Sequence, residues 1–218
     1  MMMVPLGVAV PTGRLLAGAL GLLQRAGLAV DALSDDRRLM VTVPGAVRIL
    51  KAKPTDLLTY VERGAADVGI IGRDMILEQG RDVYELLDLE FGACRAVLAF
   101  PEDAADELWQ PGRALRIATK YPRLTAGYFE QQERPVEIVV LYGSVELAPL
   151  VGLADGVVDL VMTGRTLVEN RLREVAEVAR STARLVANRS SLSQSPRVAE
   201  FVATVESLLG QRKRGVHA

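Results

Sequence analysis

Short apolar runs rich in β-branched residues alternate along this chain with stretches of helical periodicity, and that alternation restricts the fold more than any other feature. The runs LGVAV (6–10), LMVTV (39–43), DVGII (67–71), RAVLAF (95–100), RIAT (116–119), EIVVLY (137–142), VVDLVM (157–162) and ARLVAN (183–188) read as strands. Several are apolar on consecutive positions, as strands covered on both faces are. Between them, Leu15, Leu16, Ala19, Leu22, Leu23 and Ala26 follow a helical period after Gly13. Thr55 is placed to cap a helix bearing Leu57, Leu58 and Val61 that stops at Gly64. Ser195 followed by Pro196 reads as the N-cap and first turn of a last helix carrying Val198, Phe201, Val202, Val205 and Leu208. Strands alternating with helices predict an α/β architecture with largely parallel sheets.

Half of the 218 residues are apolar, enough for one large or two small cores. Lys plus Arg is 26 and Asp plus Glu is 27, so nothing in the charge calls for a nucleic acid or an anionic membrane as partner. The opening MMMVPLGVAVPTGRLL has no basic residue before its apolar run and is interrupted by Pro11 and Gly13, so it reads as a buried first strand rather than a leader or a span. The one cysteine, Cys94, reads as a small buried side chain and fits a reducing, cytoplasmic setting. The one histidine, His217, stands next to the C-terminus, which argues against a histidine triad and against a metal held by protein side chains. Chemistry then falls to carboxylates, Arg, Lys, hydroxyls and backbone amides. The segment PEDAADELWQPGRA (101–114) suits a surface excursion or the edge of a second lobe, and QRKRGVHA (211–218) a solvated, frayed end.

Residues 143–167, GSVELAPLVGLADGVVDLVMTGRTL, concentrate that chemistry. Glu146 starts a helix-like segment ending near Gly152, Gly156 turns the chain into a strand, and Asp159 places a carboxylate where apolar side chains dominate. The strand runs directly into Thr163, Gly164, Arg165 and Thr166 and then a helix. Free amides at such a turn, two hydroxyls, a glycine and a guanidinium suit an anion. Carboxylates nearby would repel a phosphate but accept from ribose hydroxyls. Turn chemistry alone equally allows an ordinary capping turn and a structural carboxylate.

The same stretch resembles the signature of the ATP phosphoribosyltransferase family, the first enzyme of histidine biosynthesis. Glu146, Gly152, Ala154, Val157, Asp159, Leu160, Thr163, Gly164, Thr166 and Leu167 fill its ten specified positions across 22 residues. VAVPTGRL (8–15), DLLTYVERGAADVGIIGRD (56–74), FGACRAVLAFP (91–101) and RIATKYP (116–122) resemble other parts of the family, so the likeness covers roughly residues 6–190. Two departures stand out: Thr12 replaces the usual Lys of the opening turn, and Lys53-Pro54 the frequent Arg-Pro.

The resemblance implies condensation of ATP with phosphoribosyl pyrophosphate to N1-(5-phosphoribosyl)-ATP and pyrophosphate, with magnesium carried on the substrate. It implies Thr163, Gly164, Arg165 and Thr166 on the donor's 5-phosphate, and Glu146 and Asp159 on its ribose side. Arg14, Arg38 and Lys53 are expected to face the ATP phosphates or the departing pyrophosphate, and Gly72 and Asp74 the nucleotide. Tyr121 is a candidate to stack on adenine, with a core tyrosine as the plainer reading; Arg37 and Arg38, after Asp35 and Asp36, also fit a surface turn with local ion pairs. The family's fold is two α/β lobes around a cleft, similar to type II periplasmic binding proteins, with lobe one at 1–95 and 179–218 and lobe two at 96–178. The chain resembles the short form, which works as a homodimer within a hetero-oligomer with a regulatory subunit resembling histidyl-tRNA synthetase. The rivals are a non-catalytic two-lobed binding or sensor module and a phosphoribosyltransferase for free bases.

Overall fold

The computed structural model describes residues 5–30, 33, 38–45, 47–110 and 113–215, the last four as backbone. The order of elements is β1 (Leu6–Pro11), α1 (Leu16–Arg25), β2 (Met40–Val43), β3 (Val47–Ala52), α2 (Pro54–Glu62), β4 (Val68–Gly72), α3 (Arg73–Gln79), β5 (Tyr84–Asp88), β6 (Cys94–Pro101) and α4 (Ala105–Leu108). It continues with β7 (Leu115–Thr119), α5 (Pro122–Gln131), β8 (Val136–Val140), α6 (Leu147–Leu150), β9 (Gly156–Val161), α7 (Arg165–Glu169), β10 (Leu172–Ser181), β11 (Ala183–Ala187), α8 (Arg189–Gln194) and α9 (Pro196–Gly215). Two units form: residues 1–76, 80–92 and 182–218 make the first, and residues 77–79 and 93–181 the second.

In the first unit the strand order is β2-β3-β1-β4-β11-β5. β1 is buried at all six positions, which explains its unbroken apolar sequence. Its alternate residues serve two cores: Leu6, Val8 and Val10 pack with Leu22 and Leu23 of α1 and Val198 and Val205 of α9, while Ala9 faces Leu57, Leu58 and Val61 of α2. Asp67 ties the start of β1 to α8, accepting from the Gly7 amide and the Ser191 hydroxyl, both at 2.7 Å. Asn188 caps α8 through the Ser191 amide and donates to the Val61 and Glu62 carbonyls at the end of α2.

In the second unit the order is β10-β6-β9-β7-β8. Leu98, Phe100, Ile117 and Val158 pack under α4 and α5 on one face; Val97, Ala99, Ala118 and Val157 pack under α6 and α7 on the other. Leu108 of α4 is buried, Trp109 lies 6.0 Å from Phe100 ring to ring, and the Arg134 guanidinium stacks on Trp109 at 4.6 Å. The 101–114 segment is thus anchored rather than a free excursion, although Pro111 and Gly112 lie outside the described residues.

Two expectations change. The sheets are mixed rather than largely parallel: only β3, β1 and β4 in one, and β9, β7 and β8 in the other, run parallel. The neighbours β2, β11 and β6 pair antiparallel, and so do the outer strands β5 and β10. Thr55 does not cap α2; its hydroxyl donates to Asp56 at 3.1 Å. Lys53 is the cap residue, because Pro54 at the first helical position starts the helix and holds the residue before it extended. The last residues, 216–218 with His217, and Arg37 lie outside the described residues, and so do the side chains from 212 onward.

Gly156 opens β9 against Phe100: a Cβ there would stand 2.3 Å from the Phe100 ring and 2.7 Å from the Ala99 carbonyl oxygen. Gly156→Ala is expected to destabilise the second unit by about 1–3 kcal/mol, read as a lower urea midpoint. An unchanged midpoint would show that the strand shifts freely.

Candidate functional site

The parallel strands β7, β8 and β9 finish at the same end of their sheet, so the segments that follow them gather there. Lys120 and Tyr121 follow β7, Tyr142 to Glu146 follow β8, and Met162 to Thr166 follow β9. β7 and β9 are neighbours whose onward connections diverge, one to β8 and the other to β10 beyond β6. A crevice at the carboxyl ends of such a pair is the general ligand position in α/β sheets. A pocket of about 360 Å³ lies there, and its walls include Glu146, Asp159, Met162, Thr163, Gly164, Arg165 and Thr166.

The turn after β9 is held from below by buried Leu167, whose amide donates to the Gly164 carbonyl at 3.1 Å. Gly164 is left-handed, with φ 75° and ψ 0°, and a Cβ there would meet nothing. Its need for glycine is therefore conformational, and the space over it is open. The Arg165 amide donates to Thr163 Oγ1 at 3.4 Å. Among the described residues nothing accepts from the amides of Gly164 and Thr166. α7 is a little over one turn long, so its dipole is small, and anion affinity has to come from individual amides and hydroxyls. The Arg165 guanidinium pairs with Glu169 at 2.7 Å on an exposed face, an interaction of small energy that leaves the side chain able to turn to a ligand.

Asp159 is 8 % exposed. Its Oδ1 accepts from the Leu160 amide at 2.8 Å, and its Oδ2 lies 3.3 Å from Lys120 Nζ. Burial pushes its carboxyl above the ordinary range; Lys120 and the Leu160 amide oppose that rise, and the charge of Glu146 adds to it. Lys120 is the site residue that sequence reasoning missed. The parallel register Thr119↔Val158 sets the residue after β7 beside Asp159, and no local pattern carries that pairing.

The remaining predicted residues divide between the units. In the first unit, Arg14, Lys53, Gly72 and Asp74 follow or end β1, β3 and β4, three parallel strands that again finish together. Arg14 Nη1 donates to the Gly92 carbonyl at 2.6 Å. Lys53 and Arg38 are exposed, Arg38 just before β2. The Thr12 amide donates to the Ala52 carbonyl at 2.8 Å, so the residue in the usual lysine position joins the ends of β1 and β3. Asp74 is 5 % exposed and folds over Gly72, where a Cβ would stand 2.2 Å from its Oδ1. In the second unit, Tyr121 packs half-buried against the core under α5, and its amide donates to Thr119 Oγ1 at 2.9 Å. No three His, Cys, Asp or Glu side chains among the described residues group as metal ligands, and no described helix is long and apolar enough to cross a membrane.

Two α/β units with mixed sheets, one of them with a pocket of carboxylates, hydroxyls and open amides at the ends of its parallel strands, have the architecture of a small-ligand protein. The family model for HisG, ATP phosphoribosyltransferase, matches residues 53–207. The chain is 50 % identical over 196 residues to the ATP phosphoribosyltransferase of Moorella thermoacetica, covering 85 % of each. It superposes on a chain of the ATP phosphoribosyl transferase (HisG:HisZ) complex from Thermotoga maritima with a TM-score of 0.80 and 31 % identity, over 94 % of this chain and 99 % of that one. The chain belongs to the ATP phosphoribosyltransferase family. The enzyme class expected from the signature, and with it the first step of histidine biosynthesis, is borne out. The substrate binding protein of an amino acid ABC transporter shares the fold alone, at a TM-score of 0.56 and 9 % identity over 96 % of this chain and 93 % of that one, in line with the expected fold class. A non-catalytic sensor is not favoured, since a binding protein is the distant likeness and the enzymes the close one.

Because the folded state raises the Asp159 carboxyl, it holds that proton more tightly than the unfolded chain does. The stabilisation is complete at low pH and is lost as pH rises through the raised value. Asp159→Asn keeps a neutral side chain throughout. It is expected to melt above the wild type at about pH 8, with the difference vanishing toward about pH 4, near the ordinary aspartate value. A variant melting below the wild type at the higher pH would mean that the Lys120 pair outweighs burial.

Proposed function

We propose that this chain joins N1 of ATP to the anomeric carbon of 5-phosphoribosyl 1-pyrophosphate, with the donor seated at the carboxyl ends of β7 and β9. The observation that carries the reading is the single pocket in which Glu146 and Asp159 face the Thr163–Thr166 turn. The 5-phosphate takes the open amides of Gly164 and Thr166, the hydroxyls of Thr163 and Thr166, and Arg165. Carboxylates there accept from the ribose hydroxyls, which a phosphate-only site has no reason to include. As the C1–O bond breaks, pyrophosphate leaves with the electron pair and positive charge grows on the anomeric carbon, where nearby carboxylates are favourable. The N1 lone pair forms the new bond, so no histidine or cysteine base is needed; the residues mainly hold two anions in line.

Arg14, Arg38 and Lys53 serve the triphosphate or the departing pyrophosphate. Gly72 and Asp74 shape the nucleotide side, Gly72 by admitting the Asp74 carboxylate against its backbone. Tyr121, which follows β7 and packs half-buried against the core, is the candidate to stack on adenine. Magnesium travels with the pyrophosphate as part of the substrate, held by its oxygens and by water. The likeness to a chain of the HisG:HisZ complex supports a HisZ-type partner subunit. The reading is completed by the short form, a homodimer within a hetero-oligomer whose histidyl-tRNA-synthetase-like partner carries histidine feedback. The setting is the cytoplasm.

Two variants test the site. Thr163→Val keeps shape and removes one hydroxyl; Asp159→Asn keeps shape and removes one acceptor charge. Each is expected to weaken donor binding roughly ten- to a hundredfold, the worth of one hydrogen bond to a charged group, measured by calorimetry on folded protein. Pyrophosphate release with ATP and magnesium, with the partner present, should fall in step, and free bases should give none. Donor affinity intact in both variants would refute the assignment.

A further inference from the structure

We propose that Lys120 is a positioning residue of the donor site, holding Asp159 as an oriented carboxylate toward the pocket. This rests on placing Asp159 on the ribose side. The two Asp159 oxygens are treated differently: Oδ1 is fixed by the Leu160 amide at 2.8 Å, and Oδ2 by Lys120 Nζ at 3.3 Å. One fixed donor on each oxygen sets the plane of the carboxylate and leaves its remaining lone pairs for incoming hydroxyls. Asp159 faces a hostile surrounding otherwise. Its cross-strand partner on β6 is Val97, the neighbouring end of β7 offers uncharged, buried Thr119, and the other charge close to it is Glu146, of the same sign. Burial and Glu146 both favour a proton on Asp159, and a protonated acid gives up acceptor capacity that ribose hydroxyls need. Lys120 is the side-chain cation opposing both effects.

The lysine itself is held by a rigid turn. Thr119 Oγ1 accepts from the Tyr121 amide at 2.9 Å and lies 3.4 Å from Thr125 Oγ1. The Glu78 carboxylate takes the first α5 amides, Arg123 at 3.2 Å and Leu124 at 3.0 Å. The backbone is thus fixed at both sides of Lys120, and the side chain, about one-third exposed, spans from β7 to β9.

The test titrates 5-phosphoribosyl 1-pyrophosphate into wild type, Lys120→Met, Lys120→Arg and Asp159→Asn by calorimetry, at constant magnesium. Each variant is read as a ratio to wild type, so that the donor's own ionisation cancels. If Lys120 acts through Asp159, the Met variant binds near wild type at about pH 9 and loses affinity by up to tenfold per pH unit on acidification. The Arg variant stays within a few-fold throughout. Should the Met variant fail to fold, by circular dichroism, Lys120→Gln is read in its place. A loss independent of pH means that Lys120 touches the donor directly and overturns the proposal. So does no loss at all, or an Arg variant as poor as Met. An Asp159→Asn variant that binds normally would instead sink the ribose-side assignment, and this inference with it.

Discussion

The backbone pairing of β7 with β9 is the constraint on which the pocket at the end of the second sheet depends. Its register, Ile117↔Gly156 to Thr119↔Val158, sets Lys120 alongside Asp159 and sends the two following segments over the same edge. The pairing is itself fixed from both faces. Val158 packs toward α5 with Ile117, Val157 packs toward α6 with Ala118, and a one-residue slip would exchange the faces. Gly156 lets the strand start directly against Phe100. The apolar register therefore positions a polar site whose floor includes the core residues Val161 and Leu167.

That site is costly to the fold in a defined way. Burial and the nearby Glu146 raise the carboxyl of Asp159, 8 % exposed, and one lysine and one amide oppose that rise. Stability alone would place an amide or an apolar residue there, as at neighbouring Val157 and Val158. Such a buried carboxylate on a pocket wall is a candidate partner for a ligand's hydroxyls. The turn from Thr163 to Thr166 shows the opposite economy. It is exposed, built on a helix of five residues, and rests on Leu167 alone, so its amides remain open to a ligand.

Much of this was legible in the chain and some was not. Strands with continuous apolar sequence, such as LGVAV and VVDLVM, are recognisable because both faces are covered. β3, β5 and β10 escaped. VRILKA interposes Arg48 and Lys51, the first of which donates to the Ala65 carbonyl at 3.0 Å. LREVAEVARS carries Glu174, Glu177 and Arg180 at helix-like intervals, yet it is a sheet edge whose charges pair with each other and with Arg95. The grouping of Glu146, Asp159 and the Thr163 turn was readable because a strand and its flanking turns supply all of it within 22 residues. Lys120 was not, because its partner lies 39 positions away and only strand register brings them together.

The two units repeat one device. In each, three parallel strands end together and pass into turns; the first unit carries Arg14, Lys53 and buried Asp74 there, and the second Glu146, Asp159, Lys120 and Arg165. Cations suit a triphosphate or pyrophosphate, whose charge is dense and fully exposed. Carboxylates suit a ribose, which needs acceptors and, as its bond to pyrophosphate breaks, a negative surrounding. Lys120 stands among those acids, 3.3 Å from Asp159, and its charge works against the rise that burial and Glu146 give the buried carboxyl.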